Sequence, residues 1–222
     1  MSYVVLSCKK SYWTKIIVKI FNFYIKKNKK IIYKNLNNSL NKFLIKNKVD
    51  FLLNFSDEVF SKNLLKKIKY PINFHPGSTK YPGRGCYSWA LFKSAKKYGS
   101  TSHIMNKKVD SGKIINEINF NISDFETIET LKLKTFFSSI IQLVDILLKI
   151  KNNKKIIFSN VKWKRKAYKI KDLDKINNIY NKDNTKLKKL KIRSFTYYPF
   201  GPFITNKGKK VQLNKRKVKN LI

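Results

Sequence analysis

One stretch organises this chain, residues 71–85, which read PINFHPGSTKYPGRG. It begins as an apolar run and ends as a loop, because three of the chain's seven glycines and three of its five prolines lie within it. Asn73 and His75 are two positions apart, so in a strand both side chains point to the same face of the sheet. The stretch therefore predicts a strand that brings an amide and an imidazole to the start of a loop.

The segments before this strand predict the fold class. Apolar segments at 3–7, 30–33, 50–55 and 71–75 are predicted strands, and amphipathic segments at 11–27, around 40–44 and at 58–69 are predicted helices. Ser56 or Asp57 is the expected N-cap of the third helix. This alternation predicts an α/β protein with a Rossmann-like, doubly wound and mostly parallel sheet. Ligands bind such sheets at the carboxyl ends of the strands, so residues 54–56 and 73–78 are expected at the site.

The second half of the chain predicts more of the same sheet and a small appendage. We expect a helix over 86–98 stopped by Gly99, strands at 102–105, 113–122 and 156–163, a helix over 127–151 capped by Ser123 or Asp124, and a short helix at 172–179. Segments at 194–198, 203–205 and 211–213 predict a β appendage with a hairpin, followed by a basic tail. Residues 1–153 are thus expected to form the main domain, and residues 154–222 a C-terminal extension.

The formal net charge of +38 raises the question of a nucleic-acid partner. Only four of the 50 basic residues are arginine, at positions 84, 165, 193 and 216, whereas proteins that bind bases and phosphates commonly use arginine forks. Asparagine and isoleucine are also abundant, as expected for an AT-rich genome. We therefore favour compositional drift as the source of the charge, and a nucleic-acid partner stays open.

Cysteine use and the missing motifs exclude several classes. Cys8 and Cys86 form no CxxC pair or disulfide framework, which favours a reducing cytosol. No signal peptide or bilayer-spanning run is evident, so we expect a soluble protein. A GxGxxG motif after the first strand and a Walker-A motif are both absent, which argues against nicotinamide, flavin and P-loop nucleotide sites. No cluster of metal-ligating residues is evident either.

Three separated side chains can perform one reaction together. Taken alone, Asn73 is an ordinary strand-end residue, His75 a packed or capping histidine, and Asp110 a turn former before Ser111-Gly112. Taken together, an amide, an imidazole and a carboxylate can transfer an acyl group to an amine. The amide and the imidazole can stabilise the oxyanion, and the carboxylate can orient the imidazole. The second histidine, His103, is expected to be a packed strand residue.

Two motifs now carry a family resemblance. Asn73-Phe74-His75-Pro76 and the segment Val109-Asp110-Ser111-Gly112, with 35 residues between the histidine and the aspartate, resemble the formyltransferases that use 10-formyltetrahydrofolate. The segment at 98–103 also fits the family pattern, and the resemblance covers about residues 49–122. It implies that residues 1–153 form a formyltransferase catalytic domain, in which Asn73 and His75 stabilise the tetrahedral intermediate and Asp110 assists proton removal from the amine.

The resemblance also implies where the two substrates lie. The folate co-substrate would lie along Asn54, Phe55 and Ser56 and along Lys107 and Val109. The acceptor would lie against the loop after His75, through Gly77, Ser78, Thr79 and Arg84, where seven positions separate His75 from Pro82 instead of the five found in many family members.

The acceptor itself is the open question. The C-terminal segment is too short for a complete tRNA-binding barrel. It resembles the start of the C-terminal region in sugar-type members, although this resemblance is weaker than that of residues 49–122 to the family. Both observations favour a nucleotide-linked amino sugar as the acceptor. Two alternatives stay open: an enzyme like methionyl-tRNA formyltransferase, and an inactive basic RNA-binding protein on the same scaffold. A homodimer also stays open.

Overall fold

The computed structural model describes residues 2–33, 38–196, 201–206 and 209–213. Its strands are β1 (Tyr3–Cys8), β2 (Lys30–Tyr33), β3 (Val49–Phe55), β4 (Tyr70–His75), β5 (Lys97–Ile104), β6 (Ile114–Asn121), β7 (Asn178–Ile179), β8 (Phe203–Asn206) and β9 (Lys209–Gln212). Its helices are α1 (Thr14–Tyr24), α2 (Asn38–Lys46), α3 (Lys62–Leu65), α4 (Cys86–Phe92), α5 (Ile128–Lys151), α6 (Ile170–Leu173) and α7 (Thr185–Phe195).

The six N-terminal strands form one sheet in the order β2-β1-β3-β4-β5-β6. The first four strands of that order are parallel, and β5 and β6 are antiparallel to their neighbours. The register places Asn73 of β4 beside Asn54 of β3 on one side and beside His103 of β5 on the other. The predicted α/β fold with a mostly parallel sheet is confirmed, and the register brings three polar side chains into one row.

Helices cover both faces of this sheet. On one face, Ile17 and Phe21 of α1 and Leu143 and Leu147 of α5 pack against the strands, and each pair has the four-residue spacing of one helix face. On the other face, the short helices α2 and α3 pack on β1 and β3. Burial on both faces explains why the central strands are almost continuously apolar.

The C-terminal segment joins a second core rather than lying apart. Phe195 of α7 packs with Trp89 and Leu91 of α4 and with Leu131 of α5. Strands β7, β8 and β9 form a small second sheet, in which β8 and β9 are antiparallel. The predicted β appendage is thus present as a small sheet, while the domain boundary after residue 153 stays a prediction.

Two predicted helices are wrong in extent. The helix predicted over 58–69 is only α3, Lys62–Leu65, and its N-cap is Ser61, whose hydroxyl accepts from the Leu64 N–H, rather than Ser56 or Asp57. The helix predicted over 86–98 ends at Phe92, and residues 97–104 are strand β5 between β4 and β6. Gly99 is therefore no helix stop; it lies in β5, where a Cβ would collide with the Ile118 carbonyl of β6.

Further corrections concern caps and the C-terminal third. Helix α5 is capped by Thr127, not by Ser123 or Asp124. Residues 156–163 form no strand, and Ser159 bonds to Ile114 of the sheet edge through one backbone N–H. The helix predicted at 172–179 is α6 at Ile170–Leu173, followed by strand β7. Of the strand predicted at 194–198, the first two residues end helix α7, and residues 197 and 198 lie outside the described ranges.

Candidate active site

A row of side chains crosses three neighbouring strands at the edge where the parallel strands end. Asn54 Nδ2 donates to Asn73 Oδ1 at 2.9 Å and to the Ser56 carbonyl at 3.0 Å. Asn73 Nδ2 lies 3.2 Å from His103 Nε2, and His103 Nδ1 lies 3.0 Å from the Ile104 carbonyl, to which it donates. The register of the sheet therefore fixes these three side chains relative to one another.

Asp110 completes this group from the loop after β5. One carboxylate oxygen lies 3.1 Å from His75 Nδ1, and the other lies 3.2 Å from His103 Nε2. The first oxygen also accepts from the Gly83 N–H at 2.7 Å. Asp110 has a φ of 43°, a backbone conformation that non-glycine residues seldom adopt, and such strain is common at functional sites. We call Asn54, Asn73, His75, His103 and Asp110 the polar cluster.

The charge states follow from these contacts. Burial raises the pKa of Asp110, but the neighbouring His75 and His103 and the Gly83 N–H outweigh burial and hold that pKa well below its usual range. Burial lowers the pKa of His75, and the Asp110 charge and the Tyr81 carbonyl only partly offset this. Asp110 is therefore a stable carboxylate, and the pKa of the neighbouring His75 lies below its usual value.

The loop that follows His75 folds back over its ring. His75 Nε2 donates to the Tyr81 carbonyl, with the two atoms 3.0 Å apart. Gly77 lies so close that a Cβ there would press on His75 Nε2. The neighbouring loop residue Thr79 is buried, and its N–H donates to Glu117 at 2.6 Å. Residues 77–79 are thus packed structure, whereas Pro76 and residues 83–85 line a cleft.

The polar cluster faces a cleft of about 540 Å³. Asn73, His75, His103 and Asp110 line it, and its walls include the apolar side chains of Phe55, Met105, Val109 and Phe136. At the mouth, Asp57 lies 3.2 Å from Arg84 and 4.0 Å from Lys9, and all three side chains are about half exposed or more. We call Lys9, Asp57 and Arg84 the rim.

The residues predicted to bind ligands divide into two groups. Phe55, Ser56, Val109 and Arg84 line the cleft. The others do not: Asn54, Ser78 and Thr79 are buried, Lys107 is exposed outside the cleft, and the Gly77 carbonyl accepts from Thr101 in the interior. All of these assignments stay predictions, and the geometry favours the first group.

Two residues of this site were not predicted from the sequence. His103 lies in a strand and is buried, as expected, but it also contacts Asp110 and Asn73. The edge of the Trp163 ring packs on both histidines, with centroids 5.7 Å from His75 and 5.0 Å from His103, and its indole N–H donates to the Gly112 carbonyl at 2.9 Å. The only signal for Trp163 is a large aromatic residue in a basic, polar segment.

The segment around Trp163 also holds the loop after His75. The Lys164 N–H donates to the Thr79 carbonyl at 3.0 Å, and the Tyr168 N–H donates to the Pro82 carbonyl at 2.9 Å. In return, the Arg84 N–H donates to the Tyr168 carbonyl at 3.0 Å. Gly83, which donates to Asp110, lies between these hydrogen bonds, so the C-terminal segment helps to hold this contact of the Asp110 carboxylate in place.

Comparison with known proteins gives a family match and a partial relative. The family model "Formyl transferase" matches residues 14–147, a range that includes the whole polar cluster. The bifunctional polymyxin resistance protein ArnA of Wigglesworthia glossinidia brevipalpis is 33% identical over 126 residues, which are 54% of this chain and 19% of that protein. The chain therefore matches only about a fifth of the length of this relative.

Solved structures share the fold over nearly the whole chain. A 4-N formyltransferase from Francisella tularensis superposes with a TM-score of 0.73 at 18% identity, over 96% of each chain. The N-formyltransferase of Helicobacter canadensis, solved with folinic acid and dTDP-3-aminofucose, superposes with a TM-score of 0.68 at 15% identity, over 95% of this chain and 86% of the other. Within the described ranges, no helix is both long and apolar enough to cross a bilayer.

Proposed function

Because the chain belongs to the formyl transferase family, we propose that it transfers a formyl group from 10-formyltetrahydrofolate to the amino group of a nucleotide-linked amino sugar. The family resemblance stated from the sequence is confirmed by the family-model match. One observation carries the proposed reaction: Asn73, His75 and Asp110 lie in contact, directly or through His103, on the wall of a single cleft.

The first step is attack of the amine on the formyl carbon, which turns the carbonyl oxygen into an oxyanion. Asn73 supplies an amide N–H on the cleft wall, and a protonated His75 on the same wall supplies positive charge. Hydrogen-bond donors that are fixed in a site sheltered from water stabilise an oxyanion more strongly than the same donors in water. The barrier is therefore lowered at the atom where negative charge develops.

The second step moves one proton. The attacking amine loses a proton, and the folate nitrogen that leaves the formyl carbon gains one. Asp110 itself is a weak base, because its pKa lies well below the usual range. We propose that its fixed charge stabilises the imidazolium of His75 while that ring, or a water molecule beside it, carries the proton.

The cleft fits a folate on one side and a charged acceptor on the other. A planar pteridine needs apolar walls, which Phe55, Met105 and Val109 provide. Lys9 and Arg84 on the rim carry positive charge that suits the phosphates of a nucleotide-linked acceptor. The neighbour from Helicobacter canadensis was solved with dTDP-3-aminofucose, which supports an amino sugar of this class. Cys8 and Cys86 are both buried as thiols, which suits a reducing compartment, and we propose the cytosol.

An assay of formyl transfer tests the proposal. Purified protein is given 10-formyltetrahydrofolate with a panel of nucleotide-linked 3- and 4-amino sugars, glycinamide ribonucleotide and methionyl-tRNA, and the release of tetrahydrofolate is followed. We expect turnover with at least one amino sugar, and a loss of about 10³-fold in His75→Ala, within the range of general acid–base effects.

Two other outcomes of this assay would support a different function. Turnover with methionyl-tRNA alone would replace the amino sugar by tRNA as the acceptor. No turnover with any amine, together with RNA binding that weakens steeply with salt, would overturn the enzyme and leave the basic RNA-binding alternative.

A further inference from the structure

We infer that Asn54 is a positioning residue that fixes which way the amide of Asn73 faces. The inference rests on the proposed function, because it concerns the donor that Asn73 offers to the formyl oxygen. Asn54 is only 1% exposed and does not line the cleft, so contact with a ligand is not its role in this structure. What it does contact is Asn73, directly across the parallel strand pair.

The orientation of the Asn54 amide follows from its partners. The Ser56 carbonyl can only accept, so the Asn54 atom 3.0 Å from it must be the nitrogen Nδ2. The Ser56 hydroxyl accepts from the Glu58 N–H and donates to Asn54 Oδ1, with 2.6 Å between the two oxygens. The partners of the Asn54 amide therefore fix which of its ends is the nitrogen and which is the oxygen.

The orientation of Asn73 follows in turn. The second hydrogen of Asn54 Nδ2 points at Asn73, so the Asn73 atom 2.9 Å away must be the acceptor Oδ1. Asn73 Nδ2 then faces the opposite way, towards His103 Nε2 at 3.2 Å and the cleft. An amide nitrogen carries two hydrogens, and at most one of them bonds to His103 Nε2, which the Asp110 carboxylate also contacts at 3.2 Å. The other is available for a carbonyl oxygen in the cleft.

Without Asn54, the only described side chain left to keep the Asn73 nitrogen on the cleft side would be His103, whose Nε2 is also 3.2 Å from the Asp110 carboxylate. The flipped amide would present Oδ1 to the cleft, where it would repel a developing oxyanion. Removal of one oxyanion-hole donor typically costs about 10²–10³-fold in kcat, and a repulsive acceptor in its place adds to that loss. A residue that never touches the substrate is thus expected to control kcat.

Two variants at this position separate orientation from packing. In Asn54→Asp, the ionised carboxylate can only accept, so it should attract the Asn73 nitrogen and hold the amide flipped. The protonated acid has one O–H donor, for which the Ser56 carbonyl and Asn73 Oδ1 compete, so it should restore the native orientation in part. We expect kcat of Asn54→Asp relative to the wild type to be reduced about 100-fold at high pH and to recover as the pH is lowered, with the KM for the folate unchanged. The leucine in Asn54→Leu has no donor and no charge. We expect kcat of this variant to be about tenfold below that of the wild type, and the ratio of the two kcat values to be independent of pH.

A double-mutant cycle completes the test. In an Asn73→Ala background, Asn54→Asp should lower kcat by at most about twofold. The effects of two substitutions are not additive when one residue acts through the other. A pH-independent loss in Asn54→Asp, or an equal loss in the Asn73→Ala background, would overturn the inference. If Asn54→Leu fails to fold, as judged by thermal melting, the pH dependence of Asn54→Asp still decides the question.

A readout without turnover separates this inference from the proposed function. In ¹⁵N-labelled protein, the side-chain amide signals of Asn73, assigned by their loss in Asn73→Ala, should shift with pH in Asn54→Asp by more than the neighbouring His75 and His103 shift them in the wild type. A wild type that formylates no amine would sink the proposed function, whereas absence of that pH-dependent shift would sink the role of Asn54.

Discussion

The polar cluster and the rim lie on the same cleft but are built in opposite ways. The side chains of His75, His103 and Asp110 are at most 6% exposed, and several partners fix each of them. At the rim, the side chains of Lys9 and Asp57 are 72% and 49% exposed and form a long ion pair. The chemistry is therefore held in a dry, fixed site, and the charges at the mouth stay in water.

This difference decides how much each region can contribute. Charges and donors in a low-dielectric interior interact strongly, and their orientation is set during folding rather than during the reaction. Exposed ion pairs contribute about 0–1 kcal/mol and are screened by salt. We therefore expect substitutions in the polar cluster to change the rate of the reaction by large factors, and substitutions at the rim to change the affinity for the acceptor by small ones.

Asp110→Asn should have the largest effect. The substitution keeps the shape but removes the charge that favours a protonated His75, so kcat/KM should fall by about 10³-fold. The fall should appear in kcat, because the residue acts on the proton and not on the acceptor. Steady-state kinetics with a saturating folate measures it.

Asp183→Asn is the matched control for this substitution. Asp183 is also a buried carboxylate with a lowered pKa, paired with Lys191 at 2.7 Å, but it does not line the cleft. Its loss should lower the melting temperature and leave kcat/KM per folded molecule unchanged. If both variants lost activity in proportion to their stability, the polar cluster would be structural and the comparison with the rim would fail.

Trp163 tests whether the C-terminal segment belongs to the polar cluster. Trp163→Leu removes the indole from both histidines and from Gly112, so water reaches His75 and the burial that lowers its pKa is relieved. We expect kcat to fall about tenfold, as for other small displacements of catalytic groups, and the alkaline limb of the pH–rate profile, where the proton of His75 is lost, to move to higher pH. Trp163→Phe should recover most of the activity.

Phe158→Leu serves as the control in the same segment, because Phe158 is 39% exposed and does not line the cleft. It should leave both the rate and the pH profile unchanged. An unmoved pH profile in Trp163→Leu, with a lower melting temperature, would reduce Trp163 to a packing residue.

The sequence predicts which polar side chains meet at the cleft better than it predicts the residues that support them. Asn73, His75 and Asp110 are found because their side-chain types and their spacing have a chemical meaning on their own. The contacts of Asn54 and Trp163 depend on which strands pair and where a distant segment returns, and hydrophobic periodicity carries neither piece of information. The helix predicted over 86–98 fails for the same reason, because pairing with β4 and β6 turns residues 97–104 into a strand whatever their local pattern.

Substitutions at the rim should give the smallest effects, and Arg84→Ala and Asp57→Asn should change the KM for the acceptor in opposite directions. Arg84→Ala removes a positive charge from the mouth of the cleft, so the KM for an anionic acceptor should rise about fivefold with kcat unchanged, as expected for an exposed ionic contact. Asp57→Asn removes the carboxylate that competes for Arg84 and Lys9, so the same KM should fall. Both changes should shrink as the salt concentration rises from 0.05 to about 0.5 M, because the Debye length shortens. A change in kcat, or a KM shift that salt does not reduce, would mean that the rim takes part in the chemistry.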